Sequence, residues 1–125
     1  MQIELYNIDS NSDEAIYMQL RNQIILGIAQ SYLQEGDILP SVRRMAEVIG
    51  INMHTVNKAY TVLRNEGILT IDRRKGAVIS INADQLLAID EMRKEIMVTI
   101  AKARCKRVSR EEIHRLIDEI YDLYE

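Results

Sequence analysis

Between Asn52 and Gly67 the chain spaces its polar side chains so that one helical face is free to donate hydrogen bonds. In NMHTVNKAYTVLRNEG, apolar Val56, Ala59, Tyr60 and Leu63 recur at steps of three and four, which predicts a buried face. Met53, His54, Thr55, Asn57, Lys58, Thr61 and Arg64 fall on the opposite side. These types suit base edges and phosphates. An asparagine amide pairs bidentately with adenine, an arginine such as Arg43 with guanine, and Met53 offers only apolar contact to a thymine methyl. A second cluster, Arg73-Arg74-Lys75 before Gly76, places three consecutive cations where phosphates or a narrow minor groove would attract them. Catalytic chemistry has no comparable constellation. His54 and His114 are the only histidines, and the lone Cys105 lies nine residues from His114, a poor spacing for a metal. No glycine-rich phosphate loop or nucleophile motif is present. No enzyme activity, metal or cofactor is expected.

Two short helices and a hairpin must position these groups. Pro40-Ser41 opens the first, with the Ser41 hydroxyl as cap; Val42, Met45, Ala46 and Ile49 form its inner face, and Gly50 supplies a left-handed stop. Ile51 plugs the turn, Asn52 caps the second helix and Gly67 ends it. A pair of this length joined by a glycine-containing turn is a helix-turn-helix, whose second helix enters the major groove of DNA. Ile68–Ile71 and Ala77–Ile81, rich in β-branched residues, predict strands that flank the cationic tip, which makes the hairpin a wing.

Charge follows the same division. The 125 residues carry a formal net charge of −3, but residues 1–35 carry −4, residues 36–82 carry +3 and residues 83–125 carry −2. The only cationic third holds the helix-turn-helix and wing, as expected of a nucleic-acid footprint on an acidic protein. Apolar residues make up 47%, enough for a folded core, and no run reaches the ~18 residues of a membrane span. The N-terminus MQIELYN is no signal peptide, and a single cysteine fits a reducing cytoplasm.

Ile3–Leu5 predicts a short strand, and Ser12 or Asp13 is placed to cap a helix over about Glu14–Tyr32. Its stripe Ile16, Leu20, Ile24, Ile28 and Tyr32, widened by Tyr17, Ile25 and Leu26, predicts packing under the helix-turn-helix. Beyond the wing, Asn82 or Asp84 caps a helix over about Asp84–Lys106, with Leu86, Ile89, Met92 (or the stem of Arg93), Ile96, Ile100 and Ala103 in a narrow seam. Ser109 and Glu112 form a capping box for a last helix over Arg110–Tyr124. Its apolar face is Ile113, Leu116, Ile117, Ile120, Tyr121 and Tyr124. A hairpin of this size cannot bury both seams alone. A second copy of the chain is the simplest cover, and packing on the first helix is the alternative. The cationic run Lys102-Arg104-Lys106-Arg107-Arg110 has three readings: extra DNA contact, pairing with Asp118, Glu119 and Asp122 of a partner, or a solvated helix end that complements the macrodipole.

Residues Ala15–Ile79 resemble the DNA-binding domain of the GntR family of bacterial transcription regulators. The matching pieces are AIYMQLRNQI (Ala15–Ile24), GDILPSVRRMA (Gly36–Ala46), NMHTVNKAYTVLRNEG (Asn52–Gly67) and the wing glycine Gly76. The pattern NxxTVNKAY and the short tail resemble the YtrA-like branch, whose members end in two helices. The resemblance implies that Ser41, Arg43, Thr55, Lys58 and Tyr60 contact phosphates or buttress the reading helix. It implies further that Met53, His54 and Asn57 lie at base edges and that Arg73, Arg74, Lys75 and Gly76 belong to the wing. Met53 and Asn57 stand where many members carry arginine, Arg74 replaces a common wing glycine, and Ala77-Val78 replace a common Thr-aromatic pair.

The expected fold is mainly α with a small β-hairpin: a winged helix-turn-helix domain over residues 1–82, then a two-helix C-terminal dimerisation tail over residues 83–125. The expected partners are double-stranded operator DNA and a second copy of the chain, with no membrane and an unidentified effector. Residues 83–125 have their apolar positions committed to helix seams, so no dedicated effector-binding domain is expected. The resemblance implies repression of an operon, commonly one encoding an ATP-binding-cassette transporter. A winged helix used as a protein-interaction module, with the tail as docking arm, is the alternative; the polar, cationic outer face of the second helix favours DNA.

Overall fold

The computed structural model describes residues 8–125, so the strand expected at Ile3–Leu5 lies outside the described residues. Helices α1 (Ile16–Ala29), α2 (Val42–Ile49) and α3 (Met53–Asn65) are followed by strands β1 (Leu69–Asp72) and β2 (Gly76–Ile79). Helices α4 (Gln85–Cys105) and α5 (Arg110–Tyr124) complete the chain. Internal packing divides it into two compact units, one ending at Asn82 and one over Ala83–Glu125. The architecture is a mainly helical winged helix with a two-stranded antiparallel sheet and two C-terminal helices.

α1 is shorter than its apolar periodicity. Neither Ser12 nor Asp13 caps it; Ala15 occupies the cap position with no side-chain bond. Ser12 Oγ instead accepts from the Glu14 amide at 3.1 Å in the preceding turn. The buried Gln19 amide ties the preceding turn to the helix. It accepts from the Asp9 N–H and donates to the Asp9 and Glu14 carbonyls, each at 2.8 Å. At the other end Ser31 adopts φ 65°, and the Tyr32 and Leu33 amides both donate to the Gly27 carbonyl. This reversal turns Tyr32 outward, 65% exposed, and sends Leu33, 3% exposed, into the core. A Cβ at Gly27 would stand 3.2 Å from Leu33 Cδ1, so the missing side chain makes room for that leucine. Leu26 is also exposed, which leaves a narrower stripe than expected.

α1 and α2 both pack on α3. Leu20, Ile24, Met45, Val56, Ala59 and Leu63 are sealed from solvent. Ser41 Oγ accepts from the Arg44 amide at 3.1 Å, and Asn52 Oδ1 accepts from the His54 amide at 2.7 Å, so both expected caps are present. Gly50 sits at φ 81° and ψ 39°, the left-handed stop between them. Tyr60 is buried, and its hydroxyl donates to the Pro40 carbonyl at 2.7 Å, tying α3 to the entry of α2. The Arg21 guanidinium forks onto the Glu66 carboxylate, with Nε to Oε1 at 2.8 Å, and joins α1 to the end of α3.

The hairpin pairs Leu69 with Ile79 and Asp72 with Gly76. Both strands are shorter than their β-branched runs at the open end. There, single bonds from Ser80 N–H to Ile68 O and from Asn82 N–H to Gly67 O replace the regular ladder. Residues 36–39 close the other edge of β2 through a bridge between Ile38 and Val78. At the tip the Asp72 carboxylate accepts from the Arg74 and Lys75 amides at 2.7 and 3.0 Å. These backbone bonds, first that from Lys75 and then that from Arg74, hold its acidity stronger than the ordinary aspartate value of 3.8.

In the second unit Asp84 caps α4 and Ser109 caps α5, each accepting an amide three residues on at 3.1 Å. The Glu112 carboxylate turns forward to Arg115 Nη1 at 2.6 Å, so the capping box is only half formed. Arg107 at φ 62° makes the elbow between the helices. No residue of α4 or α5 is buried. Ala103, Ile113 and Tyr124 are half-buried, while the other members of the two seams remain exposed.

Two outcomes follow from these contacts. Tyr60→Phe removes a buried donor and should cost about 0.5–1.5 kcal/mol in chemical denaturation without changing the fold. Asp72 should titrate below 3.8 in a carboxyl-detected NMR titration. Its stabilisation of the wing tip is complete above the unfolded-state pKa and is lost as pH falls through the lower folded value. Asp72→Ala should therefore abolish any low-pH change in the Arg74 and Lys75 amide signals.

Candidate nucleic-acid interface

Burial of Val56, Ala59, Tyr60 and Leu63 fixes the rotation of α3 about its axis, and this decides which side chains face outward. Asn57, Thr61 and Arg64, at i, i+4 and i+7, line one side of a concave cleft of about 320 Å³. Ser41 and Val42 at the start of α2 form its second wall, and Ile71, Gly76 and Ala77 of the hairpin form its third. The structure thus brings Ser41, Asn57 and Gly76 together, from three segments of the chain. Gly76 adopts φ 94°, a conformation that turns the chain from the tip into β2 and that other residues rarely adopt.

His54 and Lys58, spaced by one turn, form the neighbouring outward stripe. Both are exposed, and Met53 is 45% exposed at the start of the helix. Thr55 is half-buried beside the Asn52 cap, its amide bonded to the Asn52 carbonyl at 3.1 Å. The Lys58 ammonium lies 4.2 Å from the centroid of the Tyr17 ring, a cation–π contact that anchors this donor to α1. Arg43 is exposed on the first turn of α2, while Arg44 beside it pairs with Glu47 at 3.7 Å. The Ser41 hydroxyl oxygen accepts from Arg44, which leaves its proton free to donate. Arg73, Arg74 and Lys75 stand exposed at the tip, outside the cleft.

Tyr60 differs from the other candidates. It lines the cleft but is 3% exposed, and its hydroxyl donates to the Pro40 carbonyl, so it packs as a core residue. Thr61 and Arg64, expected on the outward face of this helix, line the cleft, and Ile71, expected only as a strand residue, joins them. The first two stand at i+4 and i+7 from Asn57. The placement of Tyr17 under Lys58, and of Arg21 against Glu66, had no local signal.

The interface sets hydrogen-bond donors of α3 and the wing beside a partly apolar cleft. Among the described residues no group of histidine, cysteine, aspartate and glutamate is arranged to hold a metal ion. Among the described residues, too, no helix is long and apolar enough to cross a membrane. A capped helix with a polar outer face, flanked by a cationic hairpin, is able to enter a major groove while the hairpin meets the adjoining backbone.

Known proteins share this arrangement. The family model for bacterial regulatory proteins of the gntR family matches residues 13–79. The chain is 35% identical over 119 residues to the HTH-type transcriptional repressor YtrA of Bacillus subtilis, covering 93% of this chain and 92% of that protein. A crystal structure described as a transcriptional antiterminator from Listeria monocytogenes superposes with a TM-score of 0.85 at 32% identity, over 96% of this chain and 92% of that one. YtrA from Sulfolobus acidocaldarius, a GntR-family transcription factor, superposes with a TM-score of 0.59 at 39% identity, over 74% of this chain and 98% of that one. These relatives are transcription regulators rather than enzymes. With the helix-turn-helix, the wing and two C-terminal helices in the same order, the chain belongs to the GntR family of bacterial regulatory proteins, in its short-tailed YtrA-like branch.

Proposed function

We propose that this DNA-binding regulator acts as a homodimeric operator-binding repressor in which the winged unit reads the sequence and the tail joins two copies. The observation that carries the reading is the exposed polar face of α3 beside the Ser41–Gly76 cleft, with the wing cations beyond it. Asn57 reads a base edge, adenine by the geometry of its amide, and Met53 and His54 flank it at the helix start. Ser41, Arg43, Thr55 and Lys58 hold phosphates, with Arg43 also able to reach guanine; Tyr60 supports them from beneath. Arg73, Arg74 and Lys75 hold the backbone or minor groove beside the wing. A regulated operon encoding an ATP-binding-cassette transporter follows from the family resemblance alone.

Duplex DNA suits this site better than RNA. The major groove of an A-form helix is too deep and narrow for side chains to read, whereas B-DNA admits an α-helix. The tail carries the dimeric part of the reading: Ile96, Ile100, Leu116, Ile117, Ile120 and Tyr121 range from 36 to 62% exposed in the single chain. Ile113 and Tyr124 extend the same face of α5.

Binding should fall linearly with the logarithm of salt, by about 0.9 in log K per phosphate held. Lys58→Ala should weaken all sequences alike and reduce that slope, while Asn57→Ala should change the preferred sequence selected from genomic fragments. Affinity that ignored salt and both substitutions would overturn the reading. A chain ending at Asn82 should sediment as a monomer and bind its operator about 10²–10⁴-fold more weakly, because the second reading head is no longer tethered.

A further inference from the structure

Tyr17 stands on the first turn of α1, half-buried, with its ring packed against the apolar core. Its hydroxyl makes no hydrogen bond among the described residues, where no buried side-chain oxygen lacks a partner. That hydroxyl therefore reaches solvent. The Lys58 ammonium lies 4.2 Å from the centroid of the same ring and pairs with no carboxylate among the described residues. The first turn of α1 carries no acid, and Glu14 just before it accepts from Asn22 Nδ2 at 3.5 Å. An ammonium has three donors, so the ring leaves some of them open. Two donors from different helices, one charged and one neutral, thus meet solvent at a single ring.

We propose that Tyr17 and Lys58 hold one DNA phosphate jointly, the ring fixing the ammonium and the hydroxyl donating to the same phosphate, which makes α1 a DNA-contacting element. This rests on the operator-binding reading and adds a residue to it. Lys58 follows Asn57 by about 100° around α3. Asn57 faces the cleft between α2 and the wing, whereas Lys58 meets α1, so the outer face of α3 is flanked on one side by the cleft and on the other by Tyr17. A helix about 10–12 Å across fills a major groove about 12 Å wide, and the walls of that groove are phosphate backbones. The Tyr17 flank therefore stands where a backbone passes. A lysine stem is long and flexible, and ordering it on binding costs affinity. Resting the ammonium on the ring orders it beforehand, and a cation–π contact strengthens as an arriving phosphate displaces water. A leucine would fill the same core space; the π face and the hydroxyl are what tyrosine adds at this position.

The test is a double-mutant cycle in the full chain. Binding is measured across a salt series to two synthetic duplexes, one carrying the site selected from genomic fragments and one of unrelated sequence. Tyr17→Phe keeps the ring and removes the hydroxyl. It should weaken both duplexes alike by about threefold to tenfold, the range of one hydrogen bond, with the salt slope unchanged because no charge is lost. Its denaturation midpoint should match that of the unaltered chain, since the hydroxyl is already in solvent. Tyr17→Leu, which also releases the ammonium, should cost more than Tyr17→Phe. In a Lys58→Ala background, where the phosphate is no longer seated, Tyr17→Phe should cost about twofold or less. If Tyr17→Phe binds as the unaltered chain does, or if its cost is undiminished in the Lys58→Ala background, the joint contact is wrong while the operator-binding reading stands. If Lys58→Ala alone changes neither affinity nor slope, Lys58 holds no phosphate and the pair fails with it. If the unaltered chain binds neither duplex, the operator-binding reading itself fails.

Discussion

One face of α3 is pressed against α1 and α2, and the reading surface depends on that contact. Val56, Ala59 and Leu63 have no exposure, and each fully buried valine or leucine contributes about 1.5–3 kcal/mol by leaving water. The gain depends on one rotational setting of the helix. Turning α3 by one residue, about 100°, would bring Asn57 into the core and Val56 to the surface. The Tyr60–Pro40 bond, the Arg21–Glu66 fork and the Lys58–Tyr17 contact reinforce that setting at the middle, the end and the outer edge of the helix. The outward orientation of these donors is therefore a consequence of apolar packing on the opposite face.

The two units are stabilised in different ways. In the first, caps and a sealed core act together: Ser41, Gly50 and Asn52 set the helix ends, and the core residues set their mutual placement. In the second, Asp84 and Ser109 cap the helices equally well, yet no side chain is buried. Isolated helices of this length are marginal in water, and tertiary packing of an apolar face is what ordinarily holds them. The open seams of α4 and α5 are thus an energetic requirement as well as an available surface.

An acidic protein that binds a polyanion must separate its charges in space. The chain does so by segment, with the cations of residues 36–82 carried on α2, α3 and the wing. Within the wing, Asp72 is spent on the backbone of the tip, where its carboxylate holds the Arg74 and Lys75 amides and leaves their side chains outward. The one acid next to three cations therefore shapes the turn instead of neutralising a contact.

Local chemistry was legible from residue types alone. Ser41, Gly50 and Asn52 act through backbone groups within three or four residues, so their capping and stopping roles need no knowledge of the rest of the fold. The 3.6-residue period of Val56–Leu63 and the β-branched runs around Arg73–Lys75 likewise determined the helix-turn-helix and its wing. Whatever depended on distant partners was decided only by the tertiary structure. Tyr32 continued the α1 stripe in sequence, but the reversal at Ser31 and the space left by Gly27 gave its place to Leu33. The cap expected from Ser12 or Asp13 did not form; Gln19 instead holds the backbone of Asp9 and Glu14, a contact across ten residues that no local pattern signals. Lys58 met Tyr17, and Arg21 met Glu66, across gaps of about forty residues that periodicity does not describe. Hydrogen-bonding propensity and amphipathic period are properties of a short segment; which surface closes over which is a property of the whole packed chain.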